Sequence, residues 1–390
     1  MKSKKSKIPL VKDTIDNSDI DNLIDWLKTY PRLTKGDLTL EFEKLWSNWL
    51  GVKYSVYINS GSSANLAMIY SLLQSNKLKN NKIIVPSVSW VTTVTPTIQF
   101  GMEPILCECD KDTLGIDINH FEQLCIEHNP AAVILVHVLG FPNKMTEIIE
   151  ICDKYDVILL EDSCETVGSI YDNKKTGCFG LMSTFSFYFG HTMSTIEGGM
   201  ICTNDKDLYN LLLSIRSHGW SRDLDTETQD ILKKEYDIDD FKSLYTFFYP
   251  GFNLRSTDLQ AKIGIKQLEK LDKNNIIRFN NYKLYHDNII NDYWKINPMD
   301  GFISNFNYPI IHPEKKEIVK RLMADNIECR PLVCGSIGKQ PFWKKIYGET
   351  NFDFADIVDE YGLYVPNNHQ ISEEEIFRII NIINSVTKNI

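Results

Sequence analysis

Residues Ala131–Asp162 read AAVILVHVLGFPNKMTEIIEICDKYDVILLED. The stretch opens on an unbroken apolar run, Ala131–Gly140, and closes on a second, Val157–Asp162. Between them, Glu147–Tyr155 has the pattern of a helix. Two strands without polar alternation, joined through a helix, indicate parallel pairing in a sheet covered on both faces.

The same alternation extends outward in both directions. On the N-terminal side, Lys82–Ser87 (KIIVPS) and Tyr54–Asn59 (YSVYIN) read as strands, with a helix at Ser63–Ser75. On the C-terminal side, Thr184–Phe189 and Gly199–Thr203 read as strands flanking GHTMSTIEG. The pattern predicts an α/β fold with a large mixed, mostly parallel sheet. A long helical pattern over Ser256–Asn288 leads into a smaller α/β unit. That unit holds a strand at Asn305–Ile311, a helix from Pro313, a strand near Cys329–Val333 and a last helix opening with the capping box Ser372-x-x-Glu375. The expected division is an N-terminal segment and large domain over residues 1–265, with the linking helix and small C-terminal domain over 266–390.

Composition narrows the function classes. The 390 residues are 43% hydrophobic and 24% charged, enough to bury a core in each unit. The net charge is -10, and the only basic run is Lys2, Lys4, Lys5 and Lys7. With no apolar stretch behind it, that run reads as a solvated tail rather than a secretory signal or a nucleic-acid patch. No apolar run has the length of a membrane span. Nine cysteines at irregular spacing suit reduced thiols, so a cytoplasmic protein without nucleic-acid or membrane partners is expected. Cys107-x-Cys109 stands alone and reads as structural, with no metal site.

Ligands of such sheets sit at the carboxyl ends of the strands. Ser60-Gly-Ser-Ser-Ala64 falls between a strand and a helix, where small residues and open N–H groups suit a phosphate. Alone it reads rather as a plain helix cap. Glu161-Asp-Ser-Cys-Glu165 ends a buried strand, where a carboxylate can keep a heterocycle's ring nitrogen protonated. Alone it too reads as a cap. Two further blocks follow, Ser186-Phe-Tyr-Phe-Gly-His191-Thr-Met-Ser-Thr-Ile-Glu197-Gly-Gly199 and Gly251-Phe-Asn253-Leu-Arg255-Ser-Thr-Asp258.

Together, in this order, the four blocks resemble the sugar aminotransferases, pyridoxal-phosphate (PLP) enzymes of the aspartate-aminotransferase fold that act on nucleotide-linked keto sugars. The resemblance spans nearly the whole chain, from Leu33–Phe42 onward. It implies that Ser62, Ser63 and Ser186 bind the cofactor phosphate, and that Trp90 stacks on its ring. It places Asp162 at the ring nitrogen and Glu165 near the ring hydroxyl, where the family usually carries Gln or His. Asn253 would reach the phosphate of a neighbouring subunit, which implies a homodimer with shared active sites. Arg255, Arg330 and His218 are candidate substrate contacts, the arginines because guanidinium suits an anion. His137, inside an apolar strand, reads as a packed core residue.

One position departs from the family. Its Schiff-base lysine lies six residues before the Glu of an E-G-G motif, which here is His191, and no lysine occurs between Lys175 and Lys206. Imidazole cannot hold the cofactor covalently, but it can move a proton near neutral pH, with an unperturbed pKa of about 6.5. This resembles the dehydratase branch of the family, deoxygenases of nucleotide-linked 4-keto-6-deoxy hexoses. The resemblance implies non-covalent PLP or pyridoxamine phosphate (PMP), L-glutamate as amino donor, a nucleotide sugar as substrate with GDP-4-keto-6-deoxy-mannose favoured, and His191 as the acid–base group. One histidine-bearing relative carries an iron–sulfur cluster on cysteines that follow the histidine. No cysteine lies between Cys202 and Cys329 here, so no such cluster is expected. Two alternatives stay open: an aminotransferase whose lysine was replaced, and a non-catalytic regulator of the same fold.

Overall fold

The computed structural model describes residues 6–298 and 301–388. Along the chain, α1 (Asn17–Leu27) and α2 (Asp37–Leu50) precede a series of strand–helix pairs: β1 (Tyr54–Ile58) with α3 (Gly61–Gln74), β2 (Lys82–Pro86) with α4 (Val91–Gln99), β3 (Glu103–Cys107) with α5 (Ile118–His128), and β4 (Ala132–Val136) with α6 (Met145–Tyr155). Next come β5 (Ile158–Asp162), the short hairpin β6 (Ile170–Tyr171) and β7 (Lys174–Lys175), then β8 (Met182–Ser186) and β9 (Gly199–Thr203). Helices α7 (Lys206–Arg216), α8 (Thr226–Glu235) and α9 (Asp240–Ser243) lead to the long α10 (Asp258–Asn288). The rest is β10 (Tyr308–Ile311), α11 (Lys315–Ala324), β11 (Arg330–Pro331), α12 (Pro341–Tyr347), α13 (Ala355–Tyr361), β12 (Gly362–Val365) and α14 (Glu373–Thr387).

The large sheet has the order β1-β9-β8-β5-β4-β2-β3. Strand β9 is antiparallel to both neighbours, while the other pairings are parallel. Successive residues of the apolar runs serve opposite faces. Ile83, Val85, Ala132 and Ile134 pack with α3 and α7, whereas Ile84, Val133 and Leu135 pack with α5 and α6. This double burial explains why the runs carry no polar alternation. A three-stranded antiparallel sheet, β10-β12-β11, forms the smaller layer with α11, α13 and α14. The capping box at Ser372 and Glu375 is present, with both reciprocal bonds made.

Two expectations need correction. The run Ala131–Gly140 is buried throughout, but its strand stops at Val136. The chain then turns tightly, with Leu139 at φ 52°, and its N–H leaves the ladder to donate to the Glu165 carboxylate at 2.9 Å. A tertiary acceptor thus overrides strand propensity. The N-terminal lysine run was expected to be a solvated tail. Lys2, Lys4 and Lys5 lie outside the described residues, but Lys7 pairs with Glu328 at 2.6 Å and the next residue, Ile8, is buried and bridged to Ile327. Among the described residues, no helix is long and apolar enough to cross a membrane.

Candidate active site

At the carboxyl end of β1, Ser60 caps α3 by accepting the Ser63 N–H at 3.1 Å. Gly61 follows because nothing larger fits: a Cβ there would lie 2.5 Å from the Ser186 Cβ and 3.1 Å from Cys164 Sγ. The helix N-terminus is thereby pressed against the end of β8, and Ser62 and Ser186 share one cleft. Ser63 turns back instead, its hydroxyl 3.0 Å from that of Ser60.

Asp162 ends β5 at 3% exposure. Its Oδ2 accepts from Asn65 Nδ2 at 2.7 Å and Thr93 Oγ1 at 2.8 Å, and its Oδ1 from the Cys164 N–H at 3.1 Å. Thr184 in turn donates to Asn65 Oδ1 at 2.6 Å, which fixes the amide. Beneath it, buried Glu161 accepts three backbone N–H groups, from Gly177, Phe179 and Gly180. His137 lies 3.1 Å from the same carboxylate and is completely buried. Its Nδ1 accepts from the Asn143 N–H, so its Nε2 carries the proton and donates to Glu161. His137 is thus a satisfied core histidine that clamps the strand bearing Asp162.

Glu165 faces the same cleft, and burial pushes its pKa up to about 7, with the Asp162 charge acting in the same direction. A carboxyl group poised there can donate a hydrogen bond at neutral pH. The folded pKa exceeds the unfolded value near 4.5, so this carboxyl's contribution to stability is fully present below about pH 4.5 and is lost as pH rises through about 7. Replacing Glu165 by Gln is therefore expected to stabilise the cofactor-free protein at pH 8 by on the order of 2–3 kcal/mol. The gain should vanish at pH 4, and urea unfolding at the two pH values measures it.

His191 lies beyond β8 on the turn leading to β9. Its ring packs against Phe306, with centroids 5.1 Å apart, and the Phe306 carbonyl is gripped by the buried Arg278 at 2.9 Å. The His191 Nδ1 is buried and has no partner. Desolvation holds the imidazole down at about pKa 4, against an opposing pull from Asp162. It is therefore neutral at pH 7 and ready to accept a proton, and its contribution to stability is lost as pH falls from 6.5 through about 4. NMR titration of the cofactor-free protein should show two imidazoles with midpoints near pH 4, those of His191 and His369, and only the first should disappear in His191→Asn.

The cleft has a volume of about 270 Å³. Of the residues expected from sequence to bind cofactor or act on substrate, it brings together Ser62, Trp90, Asp162, Glu165, Ser186 and His191. Trp90 is half-exposed at its mouth. Asn253, Arg255, Arg330 and His218 do not line it. Asn253 is exposed with its backbone paired to Ser217, Arg255 lines a separate cleft, and Arg330 is exposed with its guanidinium on the Cys329 carbonyl. His218 has φ 64° and its ring lies edge-on to Trp220. Sequence reasoning missed Asn65 and Thr93, which hold Asp162, and Phe306, which backs His191. Asn65, a polar residue in the buried face of α3, was the one readable signal.

An α/β sheet with a phosphate-suited helix N-terminus and a buried carboxylate at its strand ends has the make-up of a cofactor-dependent enzyme, and comparison with known proteins identifies the family. Residues 13–384 match the DegT/DnrJ/EryC1/StrS aminotransferase family, and the chain belongs to it. Within that family it is similar to the GDP-4-keto-6-deoxy-D-mannose 3-dehydratase of Yersinia pseudotuberculosis, 36% identical over 388 residues that cover 96% of this chain and 98% of the relative. The enzyme of the same name from Escherichia coli O55:H7 is 36% identical over 91% of this chain and 93% of its own. A solved GDP-4-keto-6-deoxymannose-3-dehydratase with a trapped PLP-glutamate geminal diamine superposes with a TM-score of 0.88 at 33% identity, covering 96% of this chain and all of its own. The E. coli enzyme with hydrated PLP gives the same TM-score and identity, covering 97% of this chain and 99% of its own.

Proposed function

We propose that the chain is a PLP/PMP-dependent 3-dehydratase of a nucleotide-linked 4-keto-6-deoxy hexose, with GDP-4-keto-6-deoxy-D-mannose as the favoured substrate and L-glutamate restoring the amine form. The observation that carries this reading is His191: an imidazole with a free, buried Nδ1 faces Asp162 and Glu165 in a cleft that no lysine lines. A lysine would hold the cofactor covalently. A neutral histidine keeps the base and leaves the cofactor's amine available to the sugar ketone.

The residues present fit the cofactor. The close approach at Gly61 makes a cradle of the α3 N-terminus, Ser62 and Ser186, which suits a phosphate. Asp162, fixed by Asn65 and Thr93, would hold the ring nitrogen, and Trp90 would stack on the ring. Glu165, its pKa raised by burial, would donate to the ring hydroxyl. When bound, the cofactor supplies an amine for the C4 ketone and an electron sink that allows the C3 hydroxyl to leave. His191 takes up and returns the proton in both the dehydration and the glutamate half-reaction.

The homodimer belongs to the same proposal. Asn253 is exposed and far from saturating its amide, and Tyr188, Phe189 and Ile196 around the His191 turn are also exposed. A second subunit covering that turn would bury the three apolar side chains and bring its Asn253 to the phosphate cradle.

The test is to incubate the protein with PLP, glutamate and GDP-4-keto-6-deoxy-mannose, then measure the sugar nucleotide's mass and assay ammonia. A product one oxygen lighter, with ammonia and 2-oxoglutarate released, supports the dehydratase. A 4-amino sugar would instead establish an aminotransferase without its lysine. An unchanged substrate, after other sugar nucleotides also fail, would favour a non-catalytic role.

A further inference from the structure

Helix α10 carries Arg278, Asn281 and Tyr285 at helical spacing, so that the three share one buried face. Each donates to a carbonyl of the segment that leaves β12: Arg278 Nη1 to Asn367, Asn281 Nδ2 to Asn368 at 3.2 Å, and the Tyr285 hydroxyl to Pro366 at 2.8 Å. Asn367 answers with its Nδ2, which donates to the Arg278 carbonyl at 3.1 Å and to Asn305 Oδ1 at 2.9 Å. The helix and the segment are thus riveted together turn by turn.

Arg278 differs from its two neighbours in reaching further. Its Nη1 also donates to the Phe306 carbonyl at 2.9 Å, and from Phe306 two routes lead into the cleft. The Phe306 ring packs on the His191 imidazole. The Phe306 N–H at 2.9 Å and Asn305 Nδ2 at 2.7 Å both donate to the Leu139 carbonyl, and the Leu139 N–H holds Glu165. One guanidinium therefore underlies both His191 and Glu165, although it lines no part of the cleft itself.

Its charge is not needed for the rivet. A neutral amide and a phenol do the same work at Asn281 and Tyr285. Arg278 is 2% exposed, its Nε has no partner, and among the described residues its hydrogen bonds go to carbonyls and no carboxylate neutralises it. Burying a guanidinium without a counter-ion is destabilising, so the cation calls for another use.

The groups around His191 supply one. Burial holds the imidazole neutral first; Asp162 at the end of β5 and the Cys164 main chain then favour its charged form, and Arg278 from α10 opposes them. Glu165, Cys164 and Tyr364 share the cleft, each with its pKa raised chiefly by burial, and Tyr188 of the same turn lies edge-on to the imidazole. Arg278 is thus the cation set against Asp162. It acts also on His369, just past the riveted segment, which is held down to about 4 by burial and then by Arg278, Lys12 and Lys270, against Asp16.

We propose, resting on the function proposed above, that Arg278 is a positioning residue for the proton transfers of His191: it fixes the Phe306 ring and the Leu139–Phe306 joint, and it sets an unneutralised cation near the imidazole from outside the cleft.

NMR titration of the cofactor-free chain tests this without turnover, so failure of the dehydratase assay leaves it intact. In Arg278→Gln, which is neutral but still a donor, the His191 midpoint should rise from about 4 to about 5, and that of His369 should rise with it. The His191 signal is identified by its loss in His191→Asn. Arg278→Lys, which restores the cation, should return both midpoints toward 4. Arg278→Met serves if the Gln variant melts early, since it leaves no polar group to bury. In turnover, Arg278→Gln should lower kcat about tenfold with KM for the sugar nucleotide unchanged, through misplacement of the imidazole. Asn281→Ala, which breaks the neighbouring rivet and touches no charge, should lower stability but leave the His191 midpoint and kcat in place. A His191 midpoint that stays near 4 in the neutral variants overturns the proposal, even if His369 moves. So does a Lys variant that shifts it as far as Gln, or Asn281→Ala lowering kcat as much as Arg278→Gln.

Discussion

Replacing His191 by asparagine is expected to lower kcat for dehydration by roughly 10²–10⁴-fold while the cofactor and the sugar nucleotide still bind. The side chain packs on Phe306 and lines the cleft without holding a neighbour through Nδ1, so its loss costs the fold little. Asparagine keeps polarity and approximate size but cannot exchange a proton. Cofactor absorbance, sugar-nucleotide affinity and single-turnover rates separate these effects. A variant that retained more than a tenth of the wild-type rate would remove His191 from its acid–base role. Both half-reactions should suffer together, because one group serves each, and 2-oxoglutarate formation should fall in parallel with loss of the C3 oxygen.

The second large effect is expected at Asp162. Asp162→Asn should reduce kcat by roughly 10²–10³-fold, the usual cost of removing one preorganised charge from a reacting centre. The geometry adds a penalty. The carboxylate accepts from Asn65 and Thr93 on one oxygen and from the Cys164 N–H on the other. Carboxamide substitution must turn an NH2 toward one of these donors, whichever way it flips. Cofactor retention should therefore fall along with the rate. Retention measured by gel filtration and absorbance distinguishes this from His191→Asn, where the cofactor stays bound.

The parts of the fold legible in the sequence are those where burial is complete. Strands β2, β4 and β5 are apolar on both faces because helices cover both, and such runs stand out without any partner being known. Helix α14 carries its own start signal in Ser372 and Glu375. The site was legible because Ser62, Asp162 and Ser186 each lie at or just beyond a strand end, and the sheet brings those ends to one edge. Three things were not. The stop of β4 at Val136 depends on Glu165, which lies far along the chain. Phe306 and Leu10 enter the cleft from segments without periodicity, so nothing local marks them. Ser63 matches the family pattern as well as Ser62 does, yet its hydroxyl turns to Ser60 rather than the cleft, a choice between rotamers that no spacing rule decides.

The turn that carries His191 leaves the sheet at Ser186 and rejoins it at Gly199, and these two residues face each other across the β8–β9 pairing. The excursion is therefore closed at its base, and the ladder beneath it reads the same whatever side chain stands at residue 191. Chemistry and architecture are separable at this place. Exchanging lysine and histidine at residue 191 therefore changes the chemistry offered to the cleft without touching the ladder that positions the turn. The joint at Ser186 and Gly199 makes this part of the scaffold easy for evolution to re-equip, and it marks residue 191 as the natural position for a designer to do the same.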